Sequence, residues 1–302
     1  MAAPNLEFQT PAATYSMPPD RPCKRKAPRF STAHEHPKSK RCLDMTDALS
    51  QGDAAELTDV FVDDQVHRDI QKMLSVNAST PDTVLFPDLP DSDHSYCAQV
   101  LIILSKHFNA SPRNFVLACT LYRRFVERAL PARRVPLPHL MACFILALKE
   151  HEPWCASLWD MTTVFYDVVV HTKDILSAEH EILETLHWNI GLVTAIDVVH
   201  KLFERAIIHP DLDLSDVELV IETACCARKQ SAADVMAVGA ILTVLSVELD
   251  MSVDKVKHPS FVPSAMVSKD ARDWASTMIL FLSKLDPNVA CSNKFLRKLM
   301  KN

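Results

Sequence analysis

Glycine is nearly missing from this chain: three residues in 302, at Gly52, Gly191 and Gly239. Tight hairpins and phosphate-cradling loops need glycine, whereas helix interiors disfavour it. The scarcity excludes Gly-rich nucleotide loops and favours an all-α protein. The nine cysteines include no Cys-x-x-Cys pair. An odd number of scattered thiols without a signal peptide reads as reduced cysteine in an intracellular protein. Cys97, Cys119, Cys143 and Cys226 lie in apolar helical stretches and read as core fillers. Long apolar runs are missing too. The longest, Leu140 to Leu148, falls far below the ~20 residues that a membrane helix needs. The N-terminus has the pattern of neither a signal nor a transit peptide. No Gly-x-Ser-x-Gly, P-loop, His-Glu-x-x-His or paired zinc-ligand spacing occurs. The sequence therefore nominates no catalytic residue, no metal ligand and no cofactor. Glu150-His151-Glu152 reads as a solvated helix end, and His34-Glu35-His36 as incidental.

Charge is unevenly placed. Residues 1–41 hold eight Lys/Arg against three Asp/Glu, while the remainder holds 24 against 35. A basic tail on an acidic body suggests an address or a tether. It argues against direct nucleic-acid binding, which wants a basic face on the body. Residues 1–45 carry seven prolines and little apolar periodicity, so a disordered tail is expected over 1–50. Lys24-Arg25-Lys26 and Lys38-Ser39-Lys40-Arg41 match a bipartite nuclear localisation pattern. That predicts a nuclear import receptor as partner, and a nuclear location with a cytoplasmic share. A plain solvated tail is the alternative. Thr10-Pro11 and Thr80-Pro81 fit the dipeptide of proline-directed phosphorylation, although such pairs are common by chance.

Helical spacing organises the rest. Leu57, Val60, Phe61, Val66, Ile70, Met73 and Leu74 predict a helix over 55–75, followed by a Pro-rich connector to 91. Ser92 or Asp93 caps a helix to about His107. Ser111 and Pro112 give a clear start for the next. Pro138 opens a nearly all-apolar helix over 138–151, another fits 155–170, and Ser177 caps one ending near Asn189. In the second half, Thr194 with Asp197 and Ser215 with Glu218 mark starts. Ser231 with Asp234 begins an almost wholly apolar helix over 232–249. Further helices fit 268–285 and 292–300. The punctuation suggests two tandem bundles, over 92–192 and 193–290, with a short tail over 291–302.

Several stretches, in order, resemble the cyclins, with wording nearest the D-type members. Ala147-Leu148-Lys149-Glu150-His151-Glu152 is similar to the family's Ala-Ser-Lys-Tyr-Glu-Glu. Trp188-Asn189-Ile190-Gly191-Leu192-Val193-Thr194-Ala195-Ile196-Asp197 is similar to the end of the first cyclin box and the start of the second. His67-Arg68-Asp69-Ile70 looks like the helix before the box, and Ser231-Ala232-Ala233-Asp234-Val235-Met236-Ala237 like a segment of the second. The resemblance implies two tandem five-helix cyclin-fold bundles with an extra N-terminal helix. It also implies a regulatory subunit, with no catalytic site of its own, that binds and activates a cyclin-dependent kinase in cell-cycle control. In cyclins a matched Lys and Glu hold the kinase's regulatory helix inward. By position these are Lys149, near a helix C-terminus, and Glu179, expected in a first turn where the helix dipole favours its charge. Phe144, Leu148 and Ile182 would flank that pair. Phe61 and Ile70 would pack on the kinase or cover the chain's own bundle.

The chain also departs from the family. Where cyclins begin the first box with Met-Arg-Ala-Ile-Leu and a Trp, it has Asp93, His94 and Val100, which removes the basis for Arg-x-Leu substrate docking. The family's Asp in Tyr-x-Asp-Arg-Phe is Arg123 here. A reversed pairing of Arg123 with Asp91 or Asp93 is expected. A second reading keeps the cyclin fold as a scaffold in transcription, tethering a kinase or other machinery without activating it.

Overall fold

The computed structural model describes residues 65–75, 91–129, 136–152, 156–165, 168–205, 212–227, 229–256, 262–285 and 293–300, with backbone alone at 91–95 and 205. The fold is all-α, as the scarcity of glycine predicts, and no strand occurs among the described residues. All of them lie in one compact unit, Ser50–Asn302. Its helices are α1 (65–75), α2 (Asp91–His107), α3 (Pro112–Ala129), α4 (Leu137–His151), α5 (Leu158–Thr163) and α6 (Thr172–Thr185). After these come α7 (Ala195–Arg205), α8 (Leu214–Cys226), α9 (Ala233–Glu248), α10 (Lys269–Leu282) and α11 (Lys294–Leu299).

Two helices organise the packing because their sequences leave them no polar face. In α4 every residue from Leu140 to Leu148 is buried, and in α9 every residue from Met236 to Val247. A helix apolar all round must be surrounded. Accordingly α3 and α6 pack on α4, and α2 packs on both α3 and α4. α7, α8, α10 and α11 pack on α9. α3 also reaches α7 and α8. The polar groups inside α9 are satisfied locally. Thr243 Oγ1 donates to the Gly239 carbonyl at 2.8 Å, and Ser246 Oγ to that of Met251. Gly239 has a steric reason as well: a Cβ there would lie 2.4 Å from Trp274 Cε3. α1 contributes Val66 and Ile70, both buried, so Ile70 covers the chain's own core.

The cysteines behave as fillers. Cys97, Cys119, Cys143 and Cys225 are buried and Cys226 partly so, all as reduced thiols. A hydrogen bond with Cys225, then burial, raises the Cys119 thiol well above its usual value, and burial pushes Cys226 up to about 12.

Several boundaries differ from those read in the sequence. Ser111 caps α3, its Oγ accepting from the Asn114 N–H at 3.4 Å, and Thr194 with Asp197 opens α7, both as expected. α4, however, begins at Leu137 after Pro136, placing Pro138 at its second position. α5 is a single turn and a half rather than a helix over 155–170. α6 begins at Thr172, not after Ser177, because Asp174 accepts from the His171 N–H and starts the helix two turns earlier than the serine would. It stops at Thr185 because His187 and Trp188 take left-handed φ values of 52° and 61°. Asp213 rather than Ser215 caps α8, and Ala232 rather than Ser231 precedes α9.

Candidate functional site

Lys149 and Glu179 meet where the C-terminal end of α4 crosses α6. The nine buried residues before Lys149 fix α4 in the core, so its last turn emerges at a defined place. Lys149 projects there with its side chain 45% exposed. Its positive charge sits where the helix dipole is negative. Glu179, 30 residues later, approaches it to 2.5 Å between Nζ and Oε1. Since α6 begins at Thr172, Glu179 is in mid-helix and not in a first turn, so the dipole argument for this residue falls away. Its position is set instead by the face of α6 opposite the solvent, where Ile175, Ala178, Ile182 and Leu183 bury against the core.

The carboxylate is incompletely matched. Its side chain is 13% exposed, and Oε2 is buried without a hydrogen-bond partner. A desolvated charged acceptor left open costs about 1–3 kcal/mol or more.

The flanking residues nominated from the sequence divide differently. Phe144 and Ile182 are fully buried and Leu148 nearly so. Their side chains line the chain's own core and do not present an outer surface, which corrects their assignment as contacts. Phe61, Thr10, Thr80, Lys24, Arg25, Lys26, Lys38, Lys40 and Arg41 lie outside the described residues. Arg123 donates to Gln230 Oε1 at 2.9 Å and lies 3.7 Å from Glu127, while the side chains of Asp91 and Asp93 are outside the described set.

Trp188 was not nominated, and the structure places it at this end of the molecule. It is 65% exposed and held by its N–H donating to the Leu183 carbonyl at 2.8 Å. The segment behind it runs close to α4: a Cβ on Gly191 would lie 3.0 Å from Glu150 Oε1. The buried Arg124 of α3 donates to the Asn189 carbonyl at 3.5 Å, tying the same segment to the core. Apolarity alone would have assigned Trp188 to the interior. Its left-handed backbone, invisible in composition, turns the ring outward.

Behind the pair lies a polar junction. Asp197 accepts from the Thr194 N–H and hydroxyl and pairs with Arg113. The buried Asn114 donates through Nδ2 to Glu152 Oε1 at 2.9 Å. Burial first, then the Arg113 charge, hold the His151 ring below its usual pKa. These contacts join the start of α3, the end of α4 and the start of α7, and so fix where α4 delivers Lys149. No group of three or more metal-ligating side chains occurs among the described residues. Nor is any helix among them long and apolar enough to cross a membrane.

Residues 70–191, the span that delivers both members of the pair, match the family description "Cyclin, N-terminal domain". Over those residues the chain is similar to the cyclins. Cyclins are regulatory proteins, in keeping with a site built from one ion pair and an exposed ring. The match begins at Ile70 within α1, takes in α2 to α6 and ends three residues short of Thr194. Among solved structures, a chain in "Structure of the CAK complex form Chaetomium thermophilum bound to ATP-gamma-S" aligns over 84% of this chain and 84% of that chain. Identity is 13% and the TM-score 0.43. No curated protein matches the sequence.

Proposed function

We propose that this protein is a cyclin, the regulatory subunit of a cyclin-dependent Ser/Thr kinase, and that Lys149 and Glu179 are its contact with the kinase's regulatory helix. The observation carrying the proposal is the pair itself. Two residues 30 positions apart are brought within 2.5 Å at the surface, one of them with a buried, unmatched acceptor oxygen. Lys149 extends from the enclosed α4 and Glu179 from α6, whose Ile175, Ala178, Ile182 and Leu183 are buried against the core, and a pair held on two packed helices can impose one position on a mobile partner helix. Holding a kinase's regulatory helix inward is what allows the kinase's own Lys–Glu pair to form.

The basic clusters at 24–26 and 38–41 support nuclear import, and the helix start at Thr194 supports a division into two bundles near 192. Both belong to the proposal. The scaffold reading, in which the fold tethers a kinase or transcription machinery without activating it, is supported by the altered residues at 93–100.

The test is co-expression of the full chain with a panel of cyclin-dependent kinases, scoring pull-down and histone-tail phosphorylation. Lys149→Ala/Glu179→Ala runs alongside. Loss of both binding and activity in the double variant is expected. Binding without activation would favour the scaffold. Binding unchanged by charge reversal at both positions would remove the site assignment.

A further inference from the structure

At His151 this chain departs from the pattern it otherwise resembles. Its Ala147-Leu148-Lys149-Glu150-His151-Glu152 stands where cyclins have Ala-Ser-Lys-Tyr-Glu-Glu. A group that titrates near neutrality thus replaces an acid two residues from Lys149. His151 is the last residue of α4. Its side chain is half-buried, and ring Nε2 is buried without a hydrogen-bond partner.

The charges acting on the ring come from three helix ends. Arg113 stands at the start of α3, Asp197 in the first turn of α7, and Glu150 and Glu152 flank His151 in its own segment. Two of these three carboxylates are already engaged. Asp197 accepts from Thr194 and pairs with Arg113, and Glu152 accepts from Asn114. A neutral imidazole sits among them with one nitrogen left open. An imidazolium would add a positive charge beside Arg113, and both of its ring nitrogens would be donors. Asp197 can turn to it only by releasing Arg113 or Thr194, and Glu152 only by releasing Asn114. Either exchange loosens the junction of α3, α4 and α7 at the turn that carries Lys149.

We infer that His151 is a proton-sensitive positioning residue: while neutral it leaves that junction closed and the last turn of α4 in place, and on taking a proton it opens the junction and weakens the partner contact made through Lys149. Only the last step rests on the proposed function. Burial first, then the Arg113 charge, hold the folded ring below its usual 6.5, against the pull of the three carboxylates. The sign follows from linkage. Well above pH 6.5 the ring is neutral in the folded and the unfolded chain alike, and the junction is unaffected. As pH falls through 6.5 the unfolded chain takes the proton first, so stability declines until the folded ring is protonated too. The effect is a loss on acidification.

The experiment compares the full chain with His151→Gln, which keeps a polar side chain but cannot titrate, at pH 7.5 and 5.5. Deuterium exchange into peptides of α4, corrected for the intrinsic pH dependence of exchange, reads the junction without any partner. Wild type is expected to lose protection about threefold or more at the lower pH, while His151→Gln stays level. Kd is then measured for whichever kinase of the panel the wild type binds. The ratio of wild-type to His151→Gln Kd cancels the kinase's own titration and should rise about threefold or more on acidification. An NMR titration of the wild-type ring needs no variant, and a midpoint above 6.5 would overturn the inference. Equal protection of wild type and His151→Gln at both pH values would also overturn it and leave the kinase contact intact. Lost protection with an unchanged Kd ratio would overturn the positioning role. Wild type that binds no kinase would overturn the proposed function and the positioning role together, a result kept distinct because the exchange is read on the chain alone.

Discussion

Replacing Gly239 by alanine should destabilise this protein, although the change places a better helix former in the middle of a helix. Two effects oppose. In an open helix Gly→Ala gains about 1 kcal/mol. Here the new Cβ would sit 2.4 Å from Trp274 Cε3, 3.2 Å from its Cδ2 and 3.1 Å from the Ala271 carbonyl oxygen. The indole cannot simply slide aside. It is buried, and its Nε1 donates to the Lys229 carbonyl at 2.6 Å. Either α10 withdraws from α9 or Trp274 gives up that bond. Overpacking of this kind costs about 1–3 kcal/mol, and a lost buried hydrogen bond about 1 kcal/mol more. The steric effect therefore wins by roughly 1–3 kcal/mol. For a chain of this size that lowers Tm by about 2–4 °C per kcal/mol. Urea unfolding of wild type, Gly239→Ala, Trp274→Leu and the double variant would measure it. The urea midpoint should fall for Gly239→Ala with the slope unchanged. In the Trp274→Leu background the alanine should be neutral or stabilising, giving a coupling of at least ~1 kcal/mol. A Gly239→Ala protein more stable than wild type would refute the steric reasoning.

The remaining expectations are read the same way. Thr194→Ala removes a hydroxyl hydrogen-bonded to Asp197 and should cost about 1 kcal/mol in denaturant unfolding. Asp197→Ala should cost more, because it also strands the buried Thr194 N–H and frees Arg113. Burial, then the neighbouring Glu218, push the Glu222 carboxyl up to about 7 from its usual 4.5. A folded pKa above the unfolded one makes stability fall as pH rises from about 4.5 to 7. Glu222→Gln should therefore raise stability above pH 7, by on the order of 1–3 kcal/mol, and give no gain near pH 4.5. A Tm difference that stays flat across this range would contradict that assignment. In kinase pull-downs, Phe144→Ala and Ile182→Ala should act by lowering the folded fraction, since both side chains are enclosed in the core. Heat-denaturation curves measured in parallel would show it.

Legibility from sequence followed how local the cause was. Starts set by a hydroxyl cap beside a proline or three residues before a carboxylate, at Ser111 and Thr194, were readable because cap and helix are neighbours in the chain. The enclosed helices α4 and α9 were readable because burial on every side leaves an unbroken apolar run. The start of α6 was not, since the His171–Asp174 pairing lacks the usual Ser or Thr and Ser177 offered a more familiar signal further on. Lys149 and Glu179 were singled out by resemblance to a family, and nothing in their spacing of 30 residues predicts an ion pair. The exposure of Trp159 and Trp188 was illegible for the opposite reason. Apolar character predicts burial, and what reverses it is a short helix in one case and backbone dihedrals in the other.

Those dihedrals have a cost that can be put to use. An L-residue in the left-handed region sacrifices roughly 1–2 kcal/mol, and the turn after α6 holds two in succession, His187 and Trp188. Trp188→Gly should therefore make the chain more stable while deleting an exposed ring from the face proposed for the kinase. Asp250→Gly, at φ 52° in the turn after α9, relieves the same kind of strain elsewhere and touches no such face. In the first variant robustness and recognition move in opposite directions, and in the second robustness moves alone. A turn that would be easier to build with glycine, in a chain that has almost none, keeps its tryptophan in a costly conformation where a partner can reach it.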